Sequence, residues 1–214
     1  MKKIFITTIL LLTAILGFCQ NEQYTSAMAQ ALGDLGKSKT VEDYQATANQ
    51  FERIANSEKS NWIPYYYAAY TTLIMSFNEK DGDKKDAYAD IAQKLIDQAL
   101  IVKSNESEIV VIQGMLYQAR IMVHPMTRGQ EYSVKANDEF EKASKMNENN
   151  PRAYYLLGKN KLNTPSFFGG GKDNALPLFK KAKEKYETFK PAEMFAPNWG
   201  QNDNNNLISK CESN

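Results

Sequence analysis

A repeated spacing of small and large residues constrains the fold of this chain more than any other feature. Each copy has an alanine, a large residue four positions later and a second alanine three positions after that. The copies are Ala92, Ile96 and Ala99; Ala136, Phe140 and Ala143; and Ala175, Phe179 and Ala182. Alanines on a helix face let another helix approach closely, and the large residue fills the gap between them. Because each helix pair can hide its remaining apolar face only against the next pair, the spacing predicts a stack of helix pairs.

Two glycines keep the phase of this repeat. Gly114 lies fifteen residues after Ala99, and Gly158 lies fifteen residues after Ala143. Ala55, Ala99 and Ala143 are spaced by 44 residues. The repeat unit is therefore predicted to have this length over most of the chain.

Apolar residues recur three and four positions apart nearly everywhere after the first twenty residues, and alternating strand-like runs are absent there. This periodicity predicts an all-α protein. Asn150 before Pro151, and Asn61 with Pro64 in the following turn, have the residue types that begin helices. The predicted helices cover residues 23–37, 40–57, 62–78, 84–103, 106–124, 131–146, 151–163 and 173–189, with a short one at 203–211.

The repeat resembles the tetratricopeptide repeat (TPR) family. The second-helix signature of that family, Ala-x3-Phe-x2-Ala, occurs twice, and its first-helix Leu-Gly is present as Leu157-Gly158. The resemblance covers roughly residues 40–190, with repeats longer than the usual 34 residues. It implies an αα-superhelix, a TPR-like solenoid of about three to four helical pairs. We assign residues 20–190 to this repeat domain and residues 191–214 to a C-terminal tail or cap with a short helix.

The first nineteen residues are typical of a secretory signal peptide. Lys2 and Lys3 precede an uncharged run from Ile4 to Phe18, which is too short to span a bilayer as a helix. Cleavage is predicted before Gln20. In the alternative interpretation Cys19 is a lipoprotein cysteine, although Phe18 is larger than the residue that normally precedes one. The chain is therefore expected to be exported to the periplasm, and to be membrane-associated only if Cys19 is lipidated.

Charge and residue counts exclude several classes of function. Lys+Arg total 26 and Asp+Glu 25, a balance that offers no positive field for nucleic acid. His124 is the only histidine, so neither a catalytic triad nor a zinc site has its usual residues. Cys211 would be the only cysteine left after cleavage. We expect no enzymatic activity, no cofactor and no metal site.

Two further patterns partly match known binding motifs, one for phosphate and one for calcium, but neither motif is complete. Gly169-Gly170-Gly171-Lys172 resembles part of a phosphate-binding loop, but Ser166 stands where its first glycine belongs and Asp173 would repel phosphate. This segment is predicted to be a turn between helices. Acidic pairs such as Asp81 with Asp83 do not match the ligand spacing of a calcium loop.

Aromatic residues crowd one predicted helix. Tyr65, Tyr66, Tyr67 and Tyr70 follow Trp62, and one helix face cannot hold all of them. Alignment of Tyr66, Val110 and Tyr154 predicts which residues of the inner helices face the concave side. These candidate binding residues are Tyr67, Thr71, Met75, Val111, Met115, Gln118, Tyr155 and Lys159. The alternative is that these side chains fill a closed core.

The chain is therefore predicted to be a non-enzymatic module of the bacterial cell envelope that binds or scaffolds a protein or peptide partner in its concave groove. The alternative function is binding of a small apolar or aromatic ligand in an enclosed pocket. An open channel would favour the peptide, and an enclosed cavity would favour the small ligand.

Overall fold

The computed structural model describes residues 22–213, and this part of the chain is all-α with no strand. The predicted signal segment and Cys19 lie outside the described residues. Within residues 22–213, each helix is too short or too polar to span a lipid bilayer. The helices are α1 (residues 22–35), α2 (Val41–Ser57), α3 (Trp62–Asn78), α4 (Gly82–Val102), α5 (Ser107–Ile121), α6 (Pro125–Met146), α7 (Pro151–Asn163), α8 (Lys172–Thr188) and α9 (Gln201–Glu212).

The helices pair in sequence order and the pairs stack into an αα-superhelix, as predicted. Helices α3 and α4, α5 and α6, and α7 and α8 form the closely packed pairs. Helices α3, α5 and α7 also contact one another in turn and are the inner helices of the stack. Helix α1 precedes them and is joined to α2 by a hydrogen bond from Gln50 to Asp34 of 3.1 Å.

The in-phase glycines allow each inner helix to contact the large residue of its outer helix. A Cβ atom on Gly114 would lie 2.4 Å from Cε1 of Phe140, and one on Gly158 would lie 2.7 Å from Cε1 of Phe179. Both phenylalanines are completely buried. The two residue types are therefore spaced so that a ring can lie directly on the backbone of the neighbouring helix.

Each inner helix begins at a capped position, and the caps define the repeat register. Asn61, Glu106 and Asn150 each accept a hydrogen bond from a backbone N–H two residues ahead. The first two caps are 45 residues apart and the last two are 44 apart. The sequence alignment of Tyr66 with Val110 is therefore displaced by one residue, and Ala69 occupies the position of Gly114.

Helix α6 begins six residues earlier than predicted. Pro125 is its first residue, and its N-cap, His124, makes no side-chain hydrogen bond. Proline is favoured at this position because its fixed φ angle suits a helix start and its missing N–H is not needed. Met126 in this first turn is almost fully exposed. Because the turn buries no apolar residue, periodicity did not reveal it.

The segment after α8 returns along the inner helices before α9 begins. We call residues 189–200 the strap. Near its middle Phe195 contacts Tyr24 of α1, and near its end Trp199 contacts Tyr66 and Tyr70 of α3. Helix α9 then packs against α8, with the side-chain amide of Asn204 donating to the carbonyl of Phe179 at 3.0 Å.

Candidate functional site

A groove lies between helices α1 to α3 and the strap. We call it the strap groove; its volume is ≈ 740 Å³. Such a volume is within the range of pockets that hold drug-sized ligands. The main side chains contributed by the helices are Leu32, Leu35, Tyr44, Tyr67, Tyr70 and Ile74. Those from the strap are Pro191, Glu193, Phe195, Ala196, Asn198 and Trp199.

Aromatic rings dominate the walls of the strap groove. The rings of Tyr70 and Trp199 have centroids 4.9 Å apart and are inclined by 33°. Behind them Tyr66 is parallel to Tyr70, with centroids 6.3 Å apart. On the opposite side Phe195 meets Tyr24 edge to face at 5.9 Å. The groove is therefore lined by aromatic side chains that can contact an apolar ligand.

Hydrogen bonds fix Trp199 firmly in the wall. Its indole N–H donates to the hydroxyl of Tyr66 at 3.0 Å. Its backbone carbonyl accepts from the hydroxyl of Tyr186 at 3.0 Å and from Nη1 of Arg152 at 3.3 Å. The next residue, Gly200, has φ 101°, and a Cβ atom there would lie 2.3 Å from the Tyr186 hydroxyl. Only glycine fits this position, both in conformation and in space.

Glu193 is the only charged side chain among the lining residues of the strap groove in the described part of the chain. Its carboxylate is paired with Lys103 and also accepts from the indole nitrogen of Trp62 at 3.4 Å. The hydrogen bond from Lys103 lowers the pKa of Glu193 below its ordinary value. No unpaired charge therefore lies in the wall of the groove.

The phenols of Tyr67 and Tyr70 remain neutral at physiological pH. Burial raises the pKa of Tyr70 to about 12, and it raises the pKa of Tyr67 further above its ordinary value. Among residues 22–213, the hydroxyls of Tyr44 and Tyr70 have no hydrogen-bond partner and are available to a ligand. The groove is thus mainly apolar, with a few neutral polar groups and the paired carboxylate of Glu193.

The lining residues of the strap groove within the described chain include no histidine, cysteine or methionine. His124 lies at the start of α6. No group of three or more histidine, cysteine, aspartate or glutamate side chains in residues 22–213 is arranged to hold a metal ion. The side-chain atoms of the lining that are suited to a metal are oxygens, those of Tyr44, Tyr67, Tyr70, Glu193 and Asn198.

Six of the eight residues predicted to face the concave side are buried: Tyr67, Thr71, Met75, Val111, Met115 and Tyr155. Gln118 and Lys159 are partly exposed. Tyr67 lines the strap groove, and Tyr155 contacts Trp199 with ring centroids 6.4 Å apart. Apart from these two, the predicted residues neither line the groove nor contact its walls through aromatic rings. Their predicted role in binding remains a prediction.

Several groove residues were not selected from the sequence. Tyr70 was recognised only as a member of a crowded aromatic cluster, and Leu32, Tyr44 and Phe195 gave no signal. Trp199 did give one, because a large apolar residue stands in a polar stretch that ends the chain. No local pattern predicts its contacts with Tyr66 and Tyr70 of α3.

Among solved structures, the chain is similar to the HusA haemophore from Porphyromonas gingivalis. The two chains share 32% sequence identity over 89% of this chain and 93% of that one, with a TM-score of 0.80. TTC0263, a TPR protein from Thermus thermophilus, matches at 14% identity over 88% of this chain and 98% of that one, with a TM-score of 0.48.

A third structure, the type IV pilus biogenesis factor PilW, matches at 16% identity over 89% of this chain and 90% of that one, with a TM-score of 0.34. No sequence-family model matches the chain, and no curated protein is significantly similar to it in sequence.

Proposed function

The chain belongs to the family of the HusA haemophore, and on this premise we propose that it binds haem or a closely related porphyrin in the strap groove. The supporting observation is the likeness to HusA, at 32% identity over 93% of its chain. A haemophore is a carrier that binds haem without transforming it. The proposed role is therefore a binding one rather than an enzymatic one.

The groove suits the chemistry of a porphyrin. Haem has two flat apolar faces, and its ionised carboxylates lie at one edge. The rings of Tyr70, Trp199 and Phe195 provide apolar surface for the faces. Because the groove is not enclosed, the carboxylates can stay in water and avoid the cost of burial.

Binding is proposed to rely on packing more than on the iron. The groove lining supplies no imidazole, thiolate or thioether, and burial keeps the Tyr70 phenol protonated. A neutral phenol is a weak ligand for iron compared with a phenolate. Contact between the ring system and the aromatic walls is then the main source of affinity.

We prefer the small-ligand function to peptide capture, although the strap groove is not the enclosed cavity that was expected for a small ligand. The strap lies along the inner helices, on the side where a peptide was expected to bind. A flat ligand needs only the space between the strap and α1 to α3. We retain the proposal that the chain is exported, which rests on the signal-like segment at residues 1–19.

Titration with haemin tests this function. The chain lacking residues 1–19 is mixed with increasing haemin, and binding is followed by the Soret absorbance and by quenching of tryptophan fluorescence. Saturable binding is expected. Tyr70→Ala should weaken it about tenfold to a hundredfold, because a wall of the groove is removed.

Tyr132→Ala is the matched control. Tyr132 is a partly exposed tyrosine of α6 that contacts Tyr117 and does not line the strap groove. Its replacement should leave haemin binding unchanged. Absence of saturable binding by the wild-type chain, or equal weakening by both substitutions, would contradict the proposed site.

A further inference from the structure

A buried ion pair joins two adjacent repeats. Glu108 and Arg152 are the second residues of α5 and α7, and they lie 44 positions apart at equivalent places in the repeat. The guanidinium donates from Nε to Oε2 at 2.8 Å and from Nη2 to Oε1 at 2.6 Å. The side chain of Arg152 is 0% exposed and that of Glu108 is 8% exposed. The pair is bidentate and almost fully removed from water.

The remaining face of the guanidinium contacts the strap. Its Nη1 atom donates to the backbone carbonyl of Trp199 at 3.3 Å. Its carbon lies 4.4 Å from the ring centre of Phe189 and 5.9 Å from that of Trp199. Arg152 therefore contacts both ends of the strap, although it does not line the strap groove.

Stability alone is a poor explanation for this pair. Removing two charges from water costs free energy that their attraction often does not recover, and an apolar pair of similar volume is commonly as stable. Burial raises the pKa of Glu108 above its ordinary value even beside Arg152. An apolar pair could not donate the hydrogen bond that Arg152 gives to the carbonyl of Trp199.

We propose that Arg152 and Glu108 form a positioning pair for the ligand groove: Glu108 orients the guanidinium, and the guanidinium holds Trp199 in place against Tyr70. This inference rests on the proposed function, because the wall formed by Trp199 is one side of the proposed haem site. The pair acts through Trp199 and does not touch the ligand.

The test uses a double substitution, Glu108→Leu with Arg152→Met, which removes both charges and keeps similar volumes. It is made in a Trp62→Phe background, so that Trp199 is the only tryptophan. We expect cooperative thermal unfolding to persist at an equal or higher temperature. Acrylamide should quench Trp199 fluorescence more strongly, and the Kd for haemin should rise about tenfold, as expected for a loosened aromatic contact.

The matched control removes another ion pair between helices. Arg120 of α5 pairs with Asp86 of α4 at 2.6 Å. Arg120 also pairs with Asp90 and Asp86 with Arg128, and none of these residues lies in the strap. Arg120→Met with Asp86→Leu in the same background should change neither the quenching of Trp199 nor the Kd for haemin. A folded Glu108→Leu, Arg152→Met chain with unchanged quenching and unchanged Kd would overturn the proposal.

If the double variant does not fold, the single substitution Arg152→Lys is used to test the proposal instead. Lysine keeps the charge beside Glu108 but lacks the planar fork needed to bond the carboxylate and the Trp199 carbonyl together. It should raise both the quenching and the Kd, and no change in either would overturn the proposal. If the wild-type chain does not bind haemin, the proposed function fails. The quenching of Trp199 then still decides whether the pair positions the strap.

Discussion

The indole nitrogen of Trp199 donates a hydrogen bond to the hydroxyl of Tyr66 at 3.0 Å, across 133 positions of sequence. Tyr66 is fully buried in α3, so this bond joins the strap to the core of the superhelix. It also fixes the plane of the indole that faces Tyr70. The wall of the groove is therefore set by a contact between the end of the chain and its first repeats.

Trp199→Phe should destabilise the protein. The substitution keeps a ring in the wall but leaves the Tyr66 hydroxyl without its donor in a buried place. An unsatisfied buried polar group costs about 1–3 kcal/mol, and this loss should appear in the free energy of unfolding measured with urea. Trp62→Phe is the control, because its indole bond to Glu193 is longer, at 3.4 Å, and Glu193 is partly exposed. Equal losses for the two substitutions would contradict this reasoning.

Gly114→Ala and Gly158→Ala should each be unfavourable. The new methyl groups would overlap the rings of Phe140 and Phe179, which are fully buried and have little room to move. Overpacking of this kind costs about 1–3 kcal/mol of unfolding free energy. Gly129→Ala in α6 is the control, because no atom lies within 4 Å of the added Cβ. It should stabilise the helix by about 0.5–1 kcal/mol, so the two kinds of variant should shift the denaturation midpoint in opposite directions.

Gly200→Ala should disturb both the strap and the start of α9. Gly200 has φ 101°, a conformation that alanine rarely adopts, and the added methyl would meet the Tyr186 hydroxyl. That hydroxyl bonds the Trp199 carbonyl, so the clash should also loosen the wall. We expect a loss of about 1–3 kcal/mol in unfolding free energy, together with weaker haemin binding. Stability and haemin affinity equal to wild type would show that the strap tolerates the change.

The contact between Glu193 and Lys103 should depend on pH. Pairing lowers the pKa of Glu193 below its ordinary value of 4.5, so the ionised form stabilises the folded state. This contribution to stability is fully present at a pH above the ordinary pKa of 4.5. It is lost as the pH falls through the lowered pKa of Glu193 in the folded protein. Because both side chains are partly exposed, it should stay below about 1 kcal/mol. The difference in unfolding free energy between wild type and Glu193→Gln should be constant from neutral pH to about pH 5 and should vanish at lower pH. A difference that grew on acidification would contradict the assignment.

The sequence was informative about the fold because the repeat is local. Ala136, Phe140 and Ala143 lie on one helix face, and Gly114 faces Phe140 within the same helix pair. Contacts of this kind depend only on neighbouring helices, so spacing and helical periodicity were enough to predict stacked helix pairs, and the resemblance to the TPR family implied the superhelix. The exceptions were turns without buried residues, such as the one that begins at Pro125.

The candidate site was less predictable because its walls come from distant segments. Phe195 adopts φ 64° and meets Tyr24 at the other end of the described chain, and no local pattern indicates either fact. Arg152 is equally hidden from sequence analysis, since arginine is normally exposed and its burial depends on Glu108 in the preceding repeat. The inner helices alone predicted a concave groove, with a closed core as the alternative.

The strap also limits how this architecture can evolve. In a solenoid whose units contact only their neighbours, a unit can be duplicated or deleted without disturbing remote ones. Here the segment that follows the last pair reaches Tyr24 in the first helix and Lys103 at the end of the fourth. An inserted pair of helices would carry Trp199 out of reach of Tyr66 and divide the binding surface. The number of units is thus fixed by the reach of this short segment, and homologues that share the groove should share that number.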